Sequence, residues 1–262
     1  MGRFLQEVNM NLIDDLIARL PDDMAVKSVQ VGVHWTAIIS RHCGLASTLV
    51  GNQPHGHAKV RDVGRLHLKS AHELAEYARS DNLLEASIGV AAINSLIDVD
   101  ESQVVEMNAG DVLMQQGRGK HVALVGHFPF IPQLRASAGE LWVIEQQPTA
   151  DEYPPEAAAD LIPQAEVVAI TSSALINHTL DGLLALCDPQ ALVMVLGPST
   201  PLSPVLFEHG VTILSGAQVV DEAAALRTLC QGATFQQMEG VRLVTLARPN
   251  PIMPSTMRAN TH

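Results

Sequence analysis

Hydrophobic positions in the first part of the chain follow helical and hairpin patterns. Apolar residues recur at helical spacing over 4–20 and stop before a proline, which predicts an amphipathic opening helix. Apolar and polar residues alternate over 26–40, which predicts a hairpin. A capping-box pattern opens a predicted helix over 70–79, and a second, more apolar helix is predicted over 83–97. This part is therefore predicted to form a small α+β unit.

From about residue 121, short runs rich in β-branched residues alternate with helical segments. Helical spacing occurs over 174–186 and 221–230. Such alternation is typical of βαβ units in a parallel, doubly wound sheet, so this part is predicted to be Rossmann-like. The predicted strands lie at 121–125, 141–144, 167–170, 192–196, 211–214 and 241–246, and all but the last are apolar enough to be buried on both faces.

A stretch rich in glycine and polar residues, 108–119, marks the predicted boundary between the two parts, as a linker or a single docking helix. We therefore expect an α/β protein with a first domain over 1–110 and a second over 111–262. Prolines are frequent after residue 248, so we expect the second domain to end in a mobile tail.

Composition and charge exclude several classes of partner. The 262 residues are 47% hydrophobic, enough for a sizeable core, and the formal net charge is −12. No dense Lys/Arg cluster is present, so we expect no nucleic-acid partner. No signal segment opens the chain, and its apolar runs are far shorter than the roughly 18 to 20 residues that span a bilayer, so we expect a cytoplasmic protein without a membrane partner. The sequence does not report the oligomeric state, although a homodimer is the commonest arrangement for soluble proteins.

The cysteines, Cys43, Cys187 and Cys230, are scattered and form no Cys-x-x-Cys pair. Neither a disulfide framework nor a closed thiolate zinc site is indicated. We expect reduced thiols, most of them buried.

Two predicted strands end in loops rich in small hydroxyl residues. In a parallel sheet, ligands bind beyond the carboxyl ends of the strands. Hydroxyl groups near a helix start, with its free amides, suit a phosphate, carboxylate or sulfonate. The alternative is structural: Ser172 or Ser173 caps the following helix, and Gly197 with Pro198 turns the chain. The candidate ligand-binding residues of these loops are Thr171, Ser172, Asn177, Thr179, Gly197, Pro198 and Ser199.

Gly126 follows the first strand of the predicted sheet, and Glu145 follows the second. The loop at Gly126 lacks the further glycines of a dinucleotide fingerprint, so ordinary NAD binding is disfavoured. Glu145 lies near the roughly 20-residue offset at which an acidic side chain meets ribose hydroxyls. An adenosine-containing ligand is compatible with that spacing, and the alternative for Glu145 is a solvated loop carboxylate.

Four histidines are candidates for chemistry. His55 and His57 form a His-x-His pair in a loop, where such pairs are more often surface residues than ligands; neutral imidazole binds divalent transition metals such as zinc, copper or nickel. His127 and His178 lie in the predicted sheet-edge loops. Either is a candidate general acid or base, because the ordinary pKa of histidine lies near neutrality.

The motifs, taken in order, resemble a family of bacterial and archaeal proteins described as heavy-metal chelation proteins (DUF364, with a DUF4213-type N-terminal domain). The resemblance implies an enolase-N-terminal-like domain, then a Rossmann-like domain, with a metal-related site where they meet. At Ser172 the chain departs from the glycine expected in that family's loop. The segments that carry the resemblance are 44–48, 87–94, 126–129, 143–145, 171–179, 197–201 and 211–216.

A site between the two domains also needs residues from the first one, and Thr48 and Asn94 are the candidates. An asparagine in a mostly apolar helix needs a hydrogen-bond partner or a polar cavity, because burial without a partner costs about 1 to 3 kcal/mol. The alternative for Asn94 is a hydrogen bond to neighbouring backbone.

Three hypotheses follow. The favoured one is a protein that binds a metal or a small anionic metal-chelating ligand in a cleft between the domains. The second is an enzyme that acts on a small anionic substrate with a nucleotide-type cofactor such as S-adenosylmethionine. The third is a protein-interaction module.

Overall fold

The structure is a computed structural model that describes residues 11–51 and 59–248. Its strands are β1 (Ser28–Val31), β2 (Trp35–Ile39), β3 (Cys43–Ser47), β4 (His121–Val125), β5 (Glu140–Ile144), β6 (Val167–Thr171), β7 (Leu192–Leu196), β8 (Ile213–Val219) and β9 (Val241–Ala247). Its α-helices are α1 (Leu12–Ala18), α2 (Ala71–Ala75), α3 (Leu83–Leu96), α4 (Ala109–Gln116), α5 (Ile131–Ser137), α6 (Ala158–Leu161), α7 (Ser173–Ile176), α8 (Leu180–Ala185), α9 (Val205–Glu208) and α10 (Glu222–Cys230).

The first part of the chain forms a three-stranded antiparallel sheet in the order β1-β2-β3, covered by α3. The predicted hairpin is confirmed. A Cβ atom on Gly44 would overlap Ala91 O and Ser95 N, so the backbone of α3 lies directly on β3. On the same helix, a Cβ atom on Gly89 would overlap Ala78 N. Helix α3 is therefore enclosed by backbone on more than one side, which explains its apolar composition.

The second part forms a six-stranded sheet in the order β5-β4-β6-β7-β8-β9. All pairs are parallel except that of β9 with β8, which is antiparallel. The chain moves from β4 to β5 on one side and then to β6 on the other. The carboxyl ends of β4 and β6 therefore form a topological switch point, where ligands of such sheets bind.

The six predicted strands of this sheet are confirmed, with end shifts of a few residues. The capping box at Ser70 is present, and α2 continues as a 3-10 helix over Glu76–Arg79. For the opening helix, the structure shows α1; residues 4–10 lie outside the described part. Helices α5, α6 and α9 were not predicted. The chain has the predicted α/β fold class, whereas the enolase-like character of the first domain and the boundary near residue 110 stay predictions.

One predicted helix is interrupted in the structure. The segment 174–186 is not continuous: α7 ends at Ile176, and α8 begins at Leu180. Between them His178 has a φ of 60°. A left-handed residue cannot continue a right-handed helix, so the chain turns there.

Candidate functional site

A cavity of about 760 Å³ opens at the carboxyl ends of β4, β5 and β6; we name it the switch-point cavity. Helices α6, α7 and α8 and Leu49 of the first part of the chain supply other walls. Its lining is mostly apolar with several polar groups, as is common for small-molecule sites. The polar side chains are His127, Glu145, Gln146, Glu156, Thr171, Ser173, Asn177, His178 and Thr179.

Gly126, directly after β4, allows the backbone to approach β6 at the floor of the cavity. Its φ of 106° is a conformation that other residues rarely adopt. A Cβ atom there would lie 3.0 Å from Thr171 Cβ. Glycine is therefore required by backbone conformation and by space at this position.

The turn between α7 and α8 presents polar groups to the cavity. The Asn177 Oδ1 atom accepts hydrogen bonds from the Thr179 hydroxyl at 2.7 Å and from the Thr179 amide at 3.2 Å. The His178 Nε2 atom lies 2.9 Å from the Ser80 carbonyl oxygen and donates to it. This bond ties the turn to the first part of the chain, 98 residues earlier. The left-handed backbone at His178 thus aims its ring away from its own helix and towards that segment.

Glu145 lies at the rim of the cavity, one residue after β5. Its backbone amide donates to the Tyr153 carbonyl oxygen at 2.9 Å, which anchors the loop that follows β5. Its carboxylate Oε1 accepts from the Gln146 amide at 2.7 Å. Because Val125 and Ile144 are paired in register, Glu145 follows β5 at the same level at which Gly126 follows β4.

His127 and Glu152 form a hydrogen-bonded pair at the mouth of the cavity. The imidazole Nδ1 lies 2.8 Å from Glu152 Oε1, and the other carboxylate oxygen accepts from the Thr149 amide at 2.8 Å. The Thr149 amide and the His127 ring hold the pKa of Glu152 below its ordinary value. A carboxylate at Nδ1 fixes the ring so that Nε2 can accept a proton or bind a metal. Sequence reasoning missed Glu152, because it lies in a loop with no motif.

Seven of the residues singled out in the sequence line this one cavity: Gly126, His127, Glu145, Thr171, Asn177, His178 and Thr179. Gly197 and Pro198 instead line a separate cavity of about 900 Å³, together with His127 and four aromatic residues; we name it the aromatic cavity. The Ser172 side chain is buried, and its Oγ would lie 2.6 Å from a Cβ atom on Gly197. It makes no capping hydrogen bond to α7.

The remaining candidates join the two parts of the chain or lie elsewhere. Ser199 is fully buried and bonds Ser47. Asn94 donates to Leu45 O at 2.8 Å and to Ser199 O at 3.1 Å. The Thr48 hydroxyl lies 2.9 Å from the Thr36 hydroxyl. His55 and His57 lie outside the described residues.

The donors of the described residues do not fit a bare metal ion. Among residues 11–51 and 59–248, no three His, Cys, Asp or Glu side chains converge to form such a site. Burial, with a smaller effect of the Glu222 charge, raises the pKa of Cys43 to about 12, and burial raises that of Cys187 to about 11. Both thiols are therefore protonated near neutral pH, and a metal ion would have to displace the proton to bind either of them. In the same described part, no helix is long and apolar enough to cross a membrane.

The fold and cavity define the class: an α/β protein in which a mostly parallel sheet of flavodoxin-like strand order follows a small antiparallel sheet, with a cavity at the switch point. The sequence pattern of DUF364, described as "Putative heavy-metal chelation", matches residues 108–248, and that of DUF4213, with the same description, matches 13–97. The chain belongs to the DUF364 family.

Proteins similar to this chain include the following three. An uncharacterized protein of Methanocaldococcus jannaschii is 27% identical over 196 residues, covering 70% of this chain and 72% of the relative. A DUF364 crystal structure from Desulfitobacterium hafniense, of unknown function, has a TM-score of 0.79 at 29% identity and covers 90% of this chain and 98% of the other. A DUF364 structure from Pyrococcus horikoshii, also of unknown function, has a TM-score of 0.77 at 23% identity, with coverages of 91% and 100%; it supports the fold alone.

Proposed function

We propose that the protein binds a metal ion as a complex with a small organic chelator, in the switch-point cavity between the two parts of the chain. The observation that carries this proposal is the convergence of polar loop residues from three strand ends on one cavity. The family description, "Putative heavy-metal chelation", supports a link to metals.

A chelated metal suits the side chains of the cavity better than a bare ion does. The described residues offer no group of three ligands, and in this proposal the chelator supplies most of the donor atoms. One or two protein groups then suffice to complete the coordination, and the His127 ring, held by Glu152, is our candidate. The hydroxyl and amide groups of Thr171 and Asn177 are candidates to bind the organic part.

The charge of the cavity favours the complex over a free anion. Its lining contains two carboxylates, Glu145 and Glu156, and neither lysine nor arginine. Helix α7 has four residues, too few for a strong dipole at its start. A multiply charged anion would therefore meet no fixed positive charge, whereas a chelated divalent cation offsets the charge of its chelator.

Native mass spectrometry of the untagged protein as purified tests this proposal. We expect a mass increment that contains both a metal and an organic molecule, with the metal removed by EDTA. Asn177→Ala and Thr171→Val should lose the increment. Thr48→Val, whose hydroxyl pairs with Thr36 outside the cavity, should keep it and is the matched control. A metal retained without any organic molecule, or no increment at all, would contradict the proposal.

One observation favours a second function, an enzyme with a nucleotide-type cofactor. Glu145 follows β5 beside Gly126, which is where an acidic side chain binds ribose hydroxyls in nucleotide-binding sheets. The His127–Glu152 pair would then act as acid and base. Calorimetric titration with S-adenosylmethionine decides it: binding that Glu145→Ala abolishes, with the thermal melt unchanged, supports the enzyme. Equal binding by Glu145→Ala would refute it.

A further inference from the structure

The aromatic cavity lies on the other side of the turn that begins at Gly126. It has a volume of about 900 Å³, larger than the switch-point cavity, and His127 lines both. Its walls come from separated segments of the chain: the start of β2, helix α4 with the residues before it, the turn after β4 with helix α5, the end of β7 with the loop that follows, β8, and β9 with the residues before it. None of the strand-end loop residues on which the proposed function rests, apart from His127, belongs to it.

Aromatic residues are concentrated around this cavity in a chain that has few of them. The sequence contains 5 Phe, 2 Trp and 2 Tyr, and only 3% of residues are aromatic. Four of these nine, Trp35, Phe128, Phe130 and Phe235, line the aromatic cavity. All four are partly exposed, whereas the buried core is made mainly of aliphatic residues. These four rings therefore lie, partly exposed, around one cavity at the margin of the buried core.

The rings are arranged in two pairs. Phe128 and Phe130 stack with centroids 5.2 Å apart and planes inclined by 18°. Trp35 and Phe235 meet edge to face, with centroids 5.6 Å apart, and the Trp35 Nε1 donates to Ala233 O at 3.1 Å. Bonds and packing thus hold the rings in place, so a ligand would meet preformed faces.

Members of the two pairs pack on different hydrophobic clusters. Phe128 and Phe130 pack on the cluster formed by strands β4 to β8 and helices α4 and α5. Trp35 packs on a smaller cluster that joins β2 and β3 to Leu229 of α10. Residues that pack on each of these clusters line the cavity. The sulfur-bearing side chains of Met107, Met114 and Met238 line it as well, and such side chains adapt to flat rings.

Polar groups are few and lie among the apolar walls. Asn108, Asp111 and Gln133 line the cavity and can exchange hydrogen bonds with ring nitrogens or amino groups of a ligand. A lining of aromatic faces with a small number of polar side chains is the chemistry that recognises a flat, nitrogen-containing ring.

We propose that the aromatic cavity binds a planar heteroaromatic molecule, stacked on the Phe128–Phe130 pair. This second site is distinct from that of the proposed function, and His127 is the residue that lines both cavities.

Fluorescence of Trp35 tests the proposal directly. The chain has two tryptophans, and Trp142 is buried in β5, so Trp142→Phe leaves Trp35 as the reporter in the cavity wall. Riboflavin, adenosine and a pterin, titrated up to millimolar concentration, are the probes. We expect at least one to quench Trp35 with saturation. In that background Phe128→Leu should weaken binding about tenfold, the order of effect that loss of one stacking partner gives.

Control variants separate this site from others. Phe207→Leu, a phenylalanine in the core at α9, and Thr171→Val, in the switch-point cavity, should bind the probe as tightly as the parent. The proposal fails if no probe quenches Trp35, or if Phe128→Leu binds as tightly as the parent. It also fails if Trp35 emission follows protein concentration instead of the probe, since the cavity would then be a contact between copies of the chain. Retained quenching in Thr171→Val separates the outcome from that of the proposed function.

Discussion

The hydroxyl of Ser199 accepts a hydrogen bond of 2.8 Å from the backbone amide of Ser47, 152 residues earlier in the chain. Its carbonyl oxygen accepts a second bond, of 3.1 Å, from the Asn94 amide group. The loop after β7 is therefore fastened to β3 and α3. A serine that the sequence offered as a ligand contact holds the two parts of the molecule together.

Ser199→Ala should lower the free energy of unfolding by about 1 to 3 kcal/mol, because the partly buried Ser47 amide loses the acceptor that the fully buried Ser199 hydroxyl provides. The ligand retained in native mass spectrometry should not change. Ser137→Ala, whose hydroxyl bonds a carbonyl of its own helix, is the control and should be close to neutral. Urea unfolding measures both variants. Loss of ligand without loss of stability in Ser199→Ala would indicate that Ser199 contacts the ligand.

Gly89→Ala should destabilise the protein by about 3 kcal/mol or more, since a methyl group there would overlap the Ala78 backbone and overpacking of backbone cannot relax cheaply. Gly182→Ala is the matched glycine of helix α8, where a Cβ atom meets nothing within 4 Å. It should raise stability by about 0.5 to 1 kcal/mol through helix propensity. Thermal melts compare the pair, and equal melting temperatures would contradict the close packing of α3.

Glu85 should contribute to stability in a pH-dependent way. Burial raises the pKa of its carboxyl, but hydrogen bonds from Ser80 and Arg61 outweigh burial and hold it below the ordinary value of 4.5. Because the folded-state pKa is the lower one, this contribution is complete above pH 4.5 and is lost as the pH falls through the folded-state value.

Glu85→Gln should therefore cost about 2 kcal/mol at pH 7, where its amide cannot accept all these bonds, and should flatten the loss of stability below pH 4.5. Urea unfolding at a series of pH values gives both quantities. The exposed Glu239, paired with Arg227, provides the control: Glu239→Gln should change stability by less than about 1 kcal/mol. An unchanged pH dependence in Glu85→Gln would show that Glu85 is not the group that titrates.

Thiol labelling at pH 8 should show one fast cysteine, Cys230, because it is exposed. Cys187, with a pKa of about 11, has a thiolate fraction of about one in a thousand at that pH, and Cys43 has less. Cys230→Ser should remove the fast phase, and all three thiols should react in urea. A second fast thiol in the folded protein would mean that the shielding of Cys187 is transient. The Cys187 thiolate would then again be a candidate metal ligand.

The local patterns predicted most elements but not the shape of the loops. The period-two alternation of β1 and β2 and the apolar runs of the parallel sheet are local signals, and both gave correct elements. The break at His178 was missed because its neighbours have helical spacing. The left-handed turn positions the His178 ring for its hydrogen bond to Ser80 O, and this contact is visible only in the tertiary structure. Glu152 was missed for a related reason: its role depends on His127, 25 residues away.

The sequence by itself determined the fold class, the family and the strand ends at which candidate residues lie, because hydrophobic periodicity and strand-end loops are written along the chain. Only the tertiary structure decided which candidates share a cavity. It brought Gly126, Thr171 and Asn177 together and placed Ser199 where its hydrogen bond connects the two sheets. The physical reason is that hydrogen bonding and packing between distant segments decide where each side chain points, and those partners are absent from any local pattern.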